Sequence, residues 1–326
     1  MEHKKQISIL MPTYNHEKYI AKAINSVLMQ KTNFEWELLI HDDCSTDGTL
    51  SIARRYAELN PHQIKLISET ENIGLLRSYK RLIEISEGAY LAILESDDVW
   101  IDENKLQLQA DFLERNEDYA IVAADIVKID GDDNVYNSYV MGGDNAHIRN
   151  TERWYENLFG NAGIMGACTV MFRKSDYLKY CDIDEYIKRD FVTFDHPVWL
   201  SLSFHKRCKY FPIVMSAYRI IPTSLSNNVY PEKNMRFNLS IAEIEAFIIE
   251  KYGLGNLSEK EYNHKICGSI IGKALKFRNR IVFIKYARKL IPMTIKERIM
   301  HLAPTIYYWI FILYQMFLIQ CENFQD

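Results

Sequence analysis

The sequence predicts an α/β protein with an open, mostly parallel sheet flanked by helices, and with a helical extension at the C-terminus. Two observations predict this fold class. Short apolar runs alternate with amphipathic segments through the first 115 residues, a pattern typical of βαβ units with right-handed crossovers. Polar residues follow each apolar run, and ligands of such sheets bind beyond the carboxyl ends of the strands.

Four strand and helix pairs come first in the chain. The predicted strands are residues 7–11, 37–41, 64–68 and 90–94, and the predicted helices are 18–30, 50–60, 75–86 and 105–115. Each strand run is short, whereas each helix has apolar residues three or four positions apart. In the first helix these apolar residues are Ile20, Ala23, Ile24, Val27 and Leu28.

The following hundred residues are expected to complete the sheet and to form a second wall of the ligand site. A strand is predicted over 120–127, and a loop rich in Gly, Asp and Asn over 130–150. The elements after this loop are less regular. They comprise a strand at 168–172, a helix containing 197–204 and a strand near 211–220. We therefore predict one domain over 1–230, with halves at 1–115 and 116–230.

A helical extension is predicted over 231–326. Its helices contain residues 237–253 and 261–277, and a basic stretch with seven Lys and Arg residues between 278 and 298 follows. The uncharged run of sixteen residues at 305–320 is shorter than the roughly twenty residues that span a bilayer. The run can pack on the α/β domain, lie in a membrane surface beside the basic stretch, or span the membrane. We expect membrane association near 303–320.

Composition excludes some classes of protein. The formal net charge is −4, so nucleic acid is not expected as a partner, because binders of nucleic acid usually carry a basic excess. The six cysteines have no CxxC pair, which argues against a zinc site or a disulfide framework. No secretory signal is visible in residues 1–11. These features predict a cytoplasmic protein.

Acidic residues follow the fourth predicted strand in the segment LAILESDDVW. Glu95, Asp97 and Asp98 would repel one another unless a cation lay between them. Mg²⁺ and Mn²⁺ prefer oxygen ligands, and Mg²⁺ often combines one or two carboxylates with phosphate oxygens. The segment therefore predicts a divalent metal, Mn²⁺ or Mg²⁺, that binds a diphosphate. The alternative is that the acids cap a helix or lie in solvent.

Four segments together resemble the family 2 glycosyltransferases, whose fold is the Rossmann-like GT-A type. They are ISILMPTYNHEKYIAKAINSVLMQ, LLIHDDCSTDGT, ENIG and EGAYLAILESDDVWIDENKLQLQ, in the family's order and spacing. The resemblance is strong over about 5–115 and weak over 115–230. It implies metal-dependent transfer of a sugar from a nucleotide diphosphate donor, with inversion at the anomeric carbon.

The resemblance also implies roles for the residues that match the family's first two motifs. Pro12, Thr13 and Tyr14 match the loop that meets the nucleoside. Asp43 matches the acid that accepts a hydrogen bond from the pyrimidine, whereas Asp42 is expected to be structural.

Further roles concern the diphosphate and the metal. Asn72 and Gly74 resemble the loop beside the base, and Arg77 or Lys80 can either reach the diphosphate or lie on a solvated helix face. Asp97 and Asp98 match the metal site, with Asp97 also near the donor. Many relatives have Asp where this chain has Glu95, so the contact of Glu95 with ribose or sugar stays open.

The general base is expected at the start of a helix in the second half of the domain. In TFDHPVWLSL, Asp195 fits this position, with His196 as the rival base and a helix cap as the alternative role. The family's YRxH motif has Ile221 in place of His in this chain. Either the metal keeps an extra water or Arg219 and Ser224 assist.

We therefore expect an inverting glycosyltransferase of surface-glycan synthesis that works at the cytoplasmic face of the membrane. The donor is a nucleotide sugar with UDP favoured, and the acceptor is a saccharide or a lipid-linked saccharide that binds near 130–150 and 160–168. Two alternatives are an inactive nucleotide-sugar-binding protein and a nucleotidyl transferase. A nucleotidyl transferase would normally have a Gly-rich phosphate loop near the first strand, and this chain has no glycine in PTYNHEKY there. A dinucleotide-binding dehydrogenase would need GxGxxG after the first strand, which this chain also lacks.

Overall fold

The computed structural model describes residues 6–136, 153–222, 224, 230–276, 278–292 and 294–312. Most of the predicted loop at 130–150 lies outside the described residues, and so does the part of the run at 303–320 that follows residue 312. The chain divides into two compact units, Met1–Ile221 and Pro222–Asp326. The predicted functional boundary at residue 230 stays a prediction.

The first unit contains one sheet of eight strands in the order β3-β2-β1-β4-β7-β6-β8-β5. Pairings among β1 to β4 and between β6 and β8 are parallel, and the other three pairings of these described strands are antiparallel. The predicted open α/β sheet is confirmed, and its second half is mixed. The strands are β1 Ile7–Thr13, β2 Trp36–Asp42, β3 Ile64–Ser68, β4 Tyr90–Ile93, β5 Val99–Trp100, β6 Tyr119–Ile129, β7 Met171–Arg173 and β8 Arg207–Arg219.

Helices connect and flank these strands. The four helices predicted in the first half are confirmed to within two residues at each end. The helices of the first unit are α1 Ile20–Leu28, α2 Thr49–Leu59, α3 Leu75–Ile85, α4 Lys105–Arg115, α5 Trp154–Leu158, α6 Lys174–Tyr180, α7 Ile183–Lys188 and α8 Asp195–His205.

The core of the first unit explains the sequence pattern. Every residue of β1 and β2 is buried, so both faces of this part of the sheet are covered and the apolar runs are continuous rather than alternating. The apolar stripe of α1 packs into the same cluster as these strands. Because β1, β2 and β4 run in parallel, their carboxyl ends and the loops that follow meet at one edge of the sheet.

The predicted start of the strand at residue 168 is wrong, because this strand begins only at Met171. Residues Ala167–Thr169 form a turn of 3₁₀ helix instead. The carbonyl oxygen of Cys168 accepts hydrogen bonds from Trp100 Nε1 at 2.7 Å and from Ser216 Oγ at 2.9 Å. The Cys168 carbonyl thus bonds to side chains rather than to the backbone of a neighbouring strand, and strand pairing begins only after this turn.

The second unit is helical in its described residues, as predicted. Its helices are α9 Pro231–Tyr252, α10 Glu259–Lys276, α11 Arg280–Ala287 and α12 Ile295–Leu302, and residues 304–312 are also helical. Phe283 and Ala287 of α11 form a buried cluster with Met300, Tyr308 and Ile312. Among the described helices, none combines the length and the apolar character that crossing a membrane requires.

Gly88 provides a test of the contact between β1 and the chain entering β4. A Cβ at this position would lie 2.5 Å from the Ser8 backbone nitrogen and 2.7 Å from the Ile7 carbonyl carbon. Gly88→Ala is therefore expected to lower the free energy of unfolding by about 1–3 kcal/mol, since β1 must shift. Urea denaturation followed by tryptophan fluorescence measures this change. Gly163→Ala, with nothing within 4 Å of the added Cβ, is the control, and equal losses in both variants would contradict the prediction.

Candidate active site

Three acids crowd the turn that follows β4. Glu95, Asp97 and Asp98 each offer a carboxylate oxygen, and these oxygens lie within 4.8 Å of one another. The turn is closed by the Asp98 backbone N–H, which donates to the Glu95 carbonyl at 3.0 Å. An all-oxygen set of this kind suits Mg²⁺ or Mn²⁺. The acid trio, as we call these three residues, can thus hold the cation predicted from the sequence.

Crowding changes the acidity of the trio. Burial, and then the charges of Asp97 and Glu95, raise the pKa of Asp98 well above its usual value. Burial, followed by the charges of Asp97 and Asp195, raises the pKa of Glu95 to about 8. The folded protein therefore stabilises protonated forms of these groups, and a bound cation would relieve the repulsion.

Arg219 at the end of β8 holds the acid trio in place. Its backbone N–H donates to Asp98 Oδ1 at 2.8 Å, and its Nε donates to the Asp97 carbonyl at 2.7 Å. The two terminal nitrogens donate to the Asp130 carbonyl and to Asp133 Oδ1, both at 2.7 Å. The side chain is buried, so its bonds fix the acidic turn to the segment after β6.

Cys168 supports the trio from the other side. Its buried thiol donates a hydrogen bond to Asp98. The 3₁₀ turn that carries Cys168 is held by Gln109, whose Nε2 donates to the Thr169 carbonyl at 2.7 Å. Gln109 also accepts from the buried Lys105 ammonium at 2.8 Å, and burial lowers the pKa of Lys105 to about 7.

The predicted nucleoside loop lies beside the acid trio. The Thr13 hydroxyl accepts from Ser96 Oγ at 2.7 Å, and Ser96 Oγ also lies 2.7 Å from His16 Nδ1. Pro12 and Thr13 are buried at the end of β1, whereas the Tyr14 side chain is 44% exposed. The Tyr14 ring is thus accessible to a ligand at this edge of the sheet.

Asp43 organises the loop that precedes α3. Its two carboxylate oxygens accept the backbone N–H groups of Ile73 at 2.7 Å and of Gly74 at 2.9 Å, and its carbonyl accepts from Asn72 Nδ2 at 3.1 Å. Gly74 has φ +87°, a conformation that favours glycine. Asp43, Asn72 and Gly74 are therefore together as predicted, with the Asp43 carboxylate bound to the loop. Its contact with a pyrimidine stays a prediction.

The two predicted diphosphate cations lie on α3. Arg77 is exposed, and its side chain donates to the Ile73 carbonyl at 3.2 Å. The Lys80 ammonium forms an ion pair with Asp184 of α7 and lies 3.9 Å from Glu84. Neither residue binds the acid trio directly, so their diphosphate roles stay predictions.

Asp195 begins α8 and lies near Glu95, since its charge contributes to the raised pKa of that carboxyl. One of its carboxylate oxygens, Oδ1, accepts from the Thr193 hydroxyl and from the His196 backbone N–H. Among the described residues, the other oxygen has no hydrogen bond. Asp195 is partly exposed, whereas His196 is fully buried. The carboxylate therefore has the access that a general base needs.

Tyr79 of α3 connects Glu95 with the start of α8, a link that the sequence interpretation missed. Its hydroxyl donates to Glu95 Oε1 at 3.2 Å, and its ring stacks on Phe194 with centroids 4.0 Å apart. Phe194 immediately precedes Asp195. The only available signal was a tyrosine on the apolar face of α3, which is equally typical of an ordinary core residue.

Comparisons with known proteins agree with this arrangement. The model described as Glycosyl transferase family 2 matches residues 8–178, which is more than half of the chain. The putative teichuronic acid biosynthesis glycosyltransferase TuaG of Bacillus subtilis is 29% identical over 230 residues, covering 69% of this chain and 83% of that protein. WfgD of Escherichia coli, a UDP-Glc:alpha-D-GlcNAc-diphosphoundecaprenol beta-1,3-glucosyltransferase, is 28% identical over 235 residues, covering 72% and 84%.

Other relatives match over a shorter length. An uncharacterized protein of Mycobacterium tuberculosis is 38% identical over 110 residues, covering 34% of this chain and 32% of that protein. The chain thus spans about a third of the length of this mycobacterial relative.

Solved structures share the fold. Staphylococcus aureus TarS 1–349 in complex with UDP-GlcNAc has a TM-score of 0.63 at 17% identity, covering 95% of this chain and 92% of that chain. The mannosyltransferase PcManGT from Pyrobaculum calidifontis, in complex with GDP-Man and Mn²⁺, has a TM-score of 0.54 at 15% identity, covering 97% and 88%. The predicted GT-A fold is confirmed.

Repulsion within the acid trio gives a prediction for the metal-free protein. Because the pKa of Glu95 is raised from 4.5 to about 8, its ionisation costs stability as the pH rises between these values. Glu95→Gln in EDTA should therefore have the wild-type Tm at pH 4.5 and a higher Tm at pH 8, by about 2–4 °C for each kcal/mol relieved. Glu58→Gln, at an exposed glutamate without an ion pair among the described residues, should change Tm at neither pH. A pH-independent effect of Glu95→Gln would contradict the prediction.

Arg219 gives a second prediction. Arg219→Lys keeps the charge but loses the guanidinium geometry, so Mn²⁺ binding should weaken about 10- to 100-fold. Titration by electron paramagnetic resonance measures this affinity, and circular dichroism confirms folding. Lys22→Met is the control, because Lys22 also pairs with Asp133, at 2.9 Å, without bonding to Asp97 or Asp98. Equal weakening in both variants would show that the link to Asp133, rather than the bonds to the trio, matters.

Proposed function

Because this chain belongs to glycosyl transferase family 2, we propose that it transfers a sugar from a nucleotide diphosphate donor to a saccharide acceptor with inversion. One observation carries the proposal. The acid trio that can hold a divalent cation lies at the same edge of the sheet as the loops of Thr13 and Asp43, and Asp195 lies near Glu95 of the trio.

We propose a UDP-sugar as the donor. WfgD is named for UDP-Glc, and TarS has been solved with UDP-GlcNAc. In this chain, the exposed Tyr14 ring can stack on the base. Asp43 can accept from a uracil N–H with the lone pairs that its two backbone hydrogen bonds leave over. Arg77 and Lys80 would contribute positive charge toward the diphosphate if their side chains rotate.

Asp97 and Asp98 would hold the divalent metal, Mn²⁺ or Mg²⁺, together with oxygens of the diphosphate. A bound cation supplies neutralisation of the negative charge that develops on the leaving diphosphate. Glu95 would lie beside the sugar or the ribose, with its carboxyl oriented by Tyr79. Arg219 and Cys168 act only through the trio, as positioning residues.

Asp195 is proposed as the general base. Its carboxylate accepts the proton of an acceptor hydroxyl, and that oxygen forms a bond to the anomeric carbon of the donor sugar. The bond from the anomeric carbon to the diphosphate oxygen breaks, and the nucleoside diphosphate leaves with the electron pair. The hydrogen bonds to Asp195 Oδ1 fix the carboxylate, so the other carboxylate oxygen, Oδ2, takes the proton.

The acceptor is proposed to be a saccharide or lipid-linked saccharide of a surface glycan, used at the cytoplasmic face of the membrane. The names of TuaG and WfgD refer to teichuronic acid and to a diphosphoundecaprenol-linked sugar, respectively. The acceptor would bind near residues 160–168 and the loop at 130–150, most of which lies outside the described residues.

Asp195→Asn tests the base. The variant should bind UDP with Mn²⁺ as tightly as wild type, while release of UDP from a productive donor falls about 10²- to 10⁴-fold, because the amide cannot accept the proton. Calorimetry and a UDP-release assay over a panel of UDP-sugars measure the two quantities. Asp182→Asn is the matched control, since Asp182 caps α7 and Asn is an equally good cap. Wild-type turnover by Asp195→Asn would remove Asp195 from this role.

Asp98→Asn tests the metal site, and turnover by wild type separates an enzyme from a protein that only binds nucleotide sugars. We expect the variant to lose Mn²⁺-dependent UDP binding by about tenfold or more, because one ligand charge is removed. If wild type binds UDP with Mn²⁺ but turns over no donor in the panel, with or without acceptor saccharides, the inactive binding protein is the better description.

A further inference from the structure

The second unit exposes a row of apolar side chains on two consecutive helical segments. Residues three or four positions apart share one face of a helix, and the exposed apolar residues follow this spacing within α12 and, separately, within helical residues 304–312. We call them the outer face: Ile295, Ile299, Leu302, Ile306, Trp309 and Ile310. Ile295 is 78% exposed, Leu302 81% and Trp309 50%.

The helices that carry the outer face are packed in the second unit on their opposite sides. Met300, Tyr308 and Ile312 are buried in one cluster with residues of α10 and α11. The Tyr308 hydroxyl also donates to the Arg278 carbonyl at 2.7 Å. Among the described residues of this unit, the outer face is therefore the side that does not join this core, and apolar side chains exposed together in this way are a candidate interaction site.

Basic residues are frequent in the helices that carry the outer face and in the segment just before them. Residues 278–302 contain seven basic residues and a single acid, Glu297, which is engaged in the capping box of α12 with Thr294. The Arg280 guanidinium lies 5.7 Å from the centre of the Trp309 ring. Within the part of the chain that the structure describes, no acidic side chain pairs with Arg280, Lys296 or Arg298.

We propose that the outer face and its basic residues dock on a membrane surface containing anionic phospholipids. The apolar side chains would enter the boundary between headgroups and acyl chains, and the Lys and Arg side chains would bind lipid phosphates. Trp309 suits this boundary because tryptophan is enriched there. A second copy of the chain fits less well, because pairing two outer faces would bring like charges together.

The two helical segments that carry the outer face are separated by a break. Helix α12 ends at Leu302, and Ala303 leaves the helical conformation with φ −131° and ψ 56°. Within the described residues, the exposed apolar side chains thus belong to two separate helical segments, each of which also contributes buried residues to the core of the unit. The inference goes beyond sugar transfer, because lipid binding and donor binding use different residues.

Vesicle flotation with the full chain tests the proposal. The vesicles are phosphatidylcholine alone or phosphatidylcholine mixed with phosphatidylglycerol. Wild type should float with the anionic vesicles and stay behind with the neutral ones. The pairs Leu302→Ser with Ile306→Ser and Lys296→Glu with Arg298→Glu should each bind at least about tenfold more weakly, since both apolar burial and charge contribute.

Controls use exposed residues of the first unit. Leu59→Ser alters an apolar side chain that is 68% exposed, and Arg54→Glu with Arg55→Glu reverses two exposed charges on α2; both should float as wild type does.

Absence of wild-type binding to anionic vesicles would overturn the proposal. The proposal would also be overturned if wild type bound no vesicles and sedimented as a dimer, and if the Leu302 and Ile306 substitutions dissociated that dimer. Mn²⁺-dependent UDP binding, measured on the same variants, should be unchanged. A failure of the proposed lipid binding can therefore be distinguished from a failure of the proposed sugar transfer.

Discussion

Repulsion among the carboxylates at the end of β4 is the constraint on which the rest of the site depends. Left alone, the three acids would move apart or stay protonated. They are instead held by fixed donors: the Arg219 backbone N–H and guanidinium on one side and the Cys168 thiol on the other. These donors lie far along the chain from the trio, with Arg219 separated from Asp98 by 121 residues, so most of the first unit must fold before the turn is complete. The repulsion lowers the stability of the folded protein, and the fixed donors keep the cation site preorganised.

The loops around the trio are connected by a short series of hydrogen bonds. Ser96 binds Thr13, the Thr13 carbonyl accepts from the Asp43 backbone N–H at 2.9 Å, and the Asp43 carboxylate holds the loop before α3. Tyr79 on α3 then reaches back to Glu95 and stacks on Phe194 beside Asp195. Movement of one loop therefore affects the geometry of the others, which makes the edge of the sheet a single functional unit.

The regular half of the fold could be predicted because each element there has a local cause. The stripe of α1 and the continuous apolar runs of β1 and β2 follow directly from burial on one or both sides. The order of the later strands could not be predicted, since β7 and β8 join the sheet through partners distant in sequence. For the site, the acidic motif placed Glu95, Asp97 and Asp98 correctly together. The supporting bonds of Arg219, Tyr79 and Cys168 were missed because each side chain is equally plausible as core packing or, for Arg219, as a phosphate ligand.

The most direct measurement is anomalous diffraction at the manganese edge from crystals grown with Mn²⁺ and UDP. The proposed metal site predicts one strong peak in contact with carboxylate oxygens of Asp97 or Asp98 and with the UDP diphosphate on its other side. UDP bound at this edge of the sheet without a peak at the acid trio would contradict it, as would Mn²⁺ bound elsewhere.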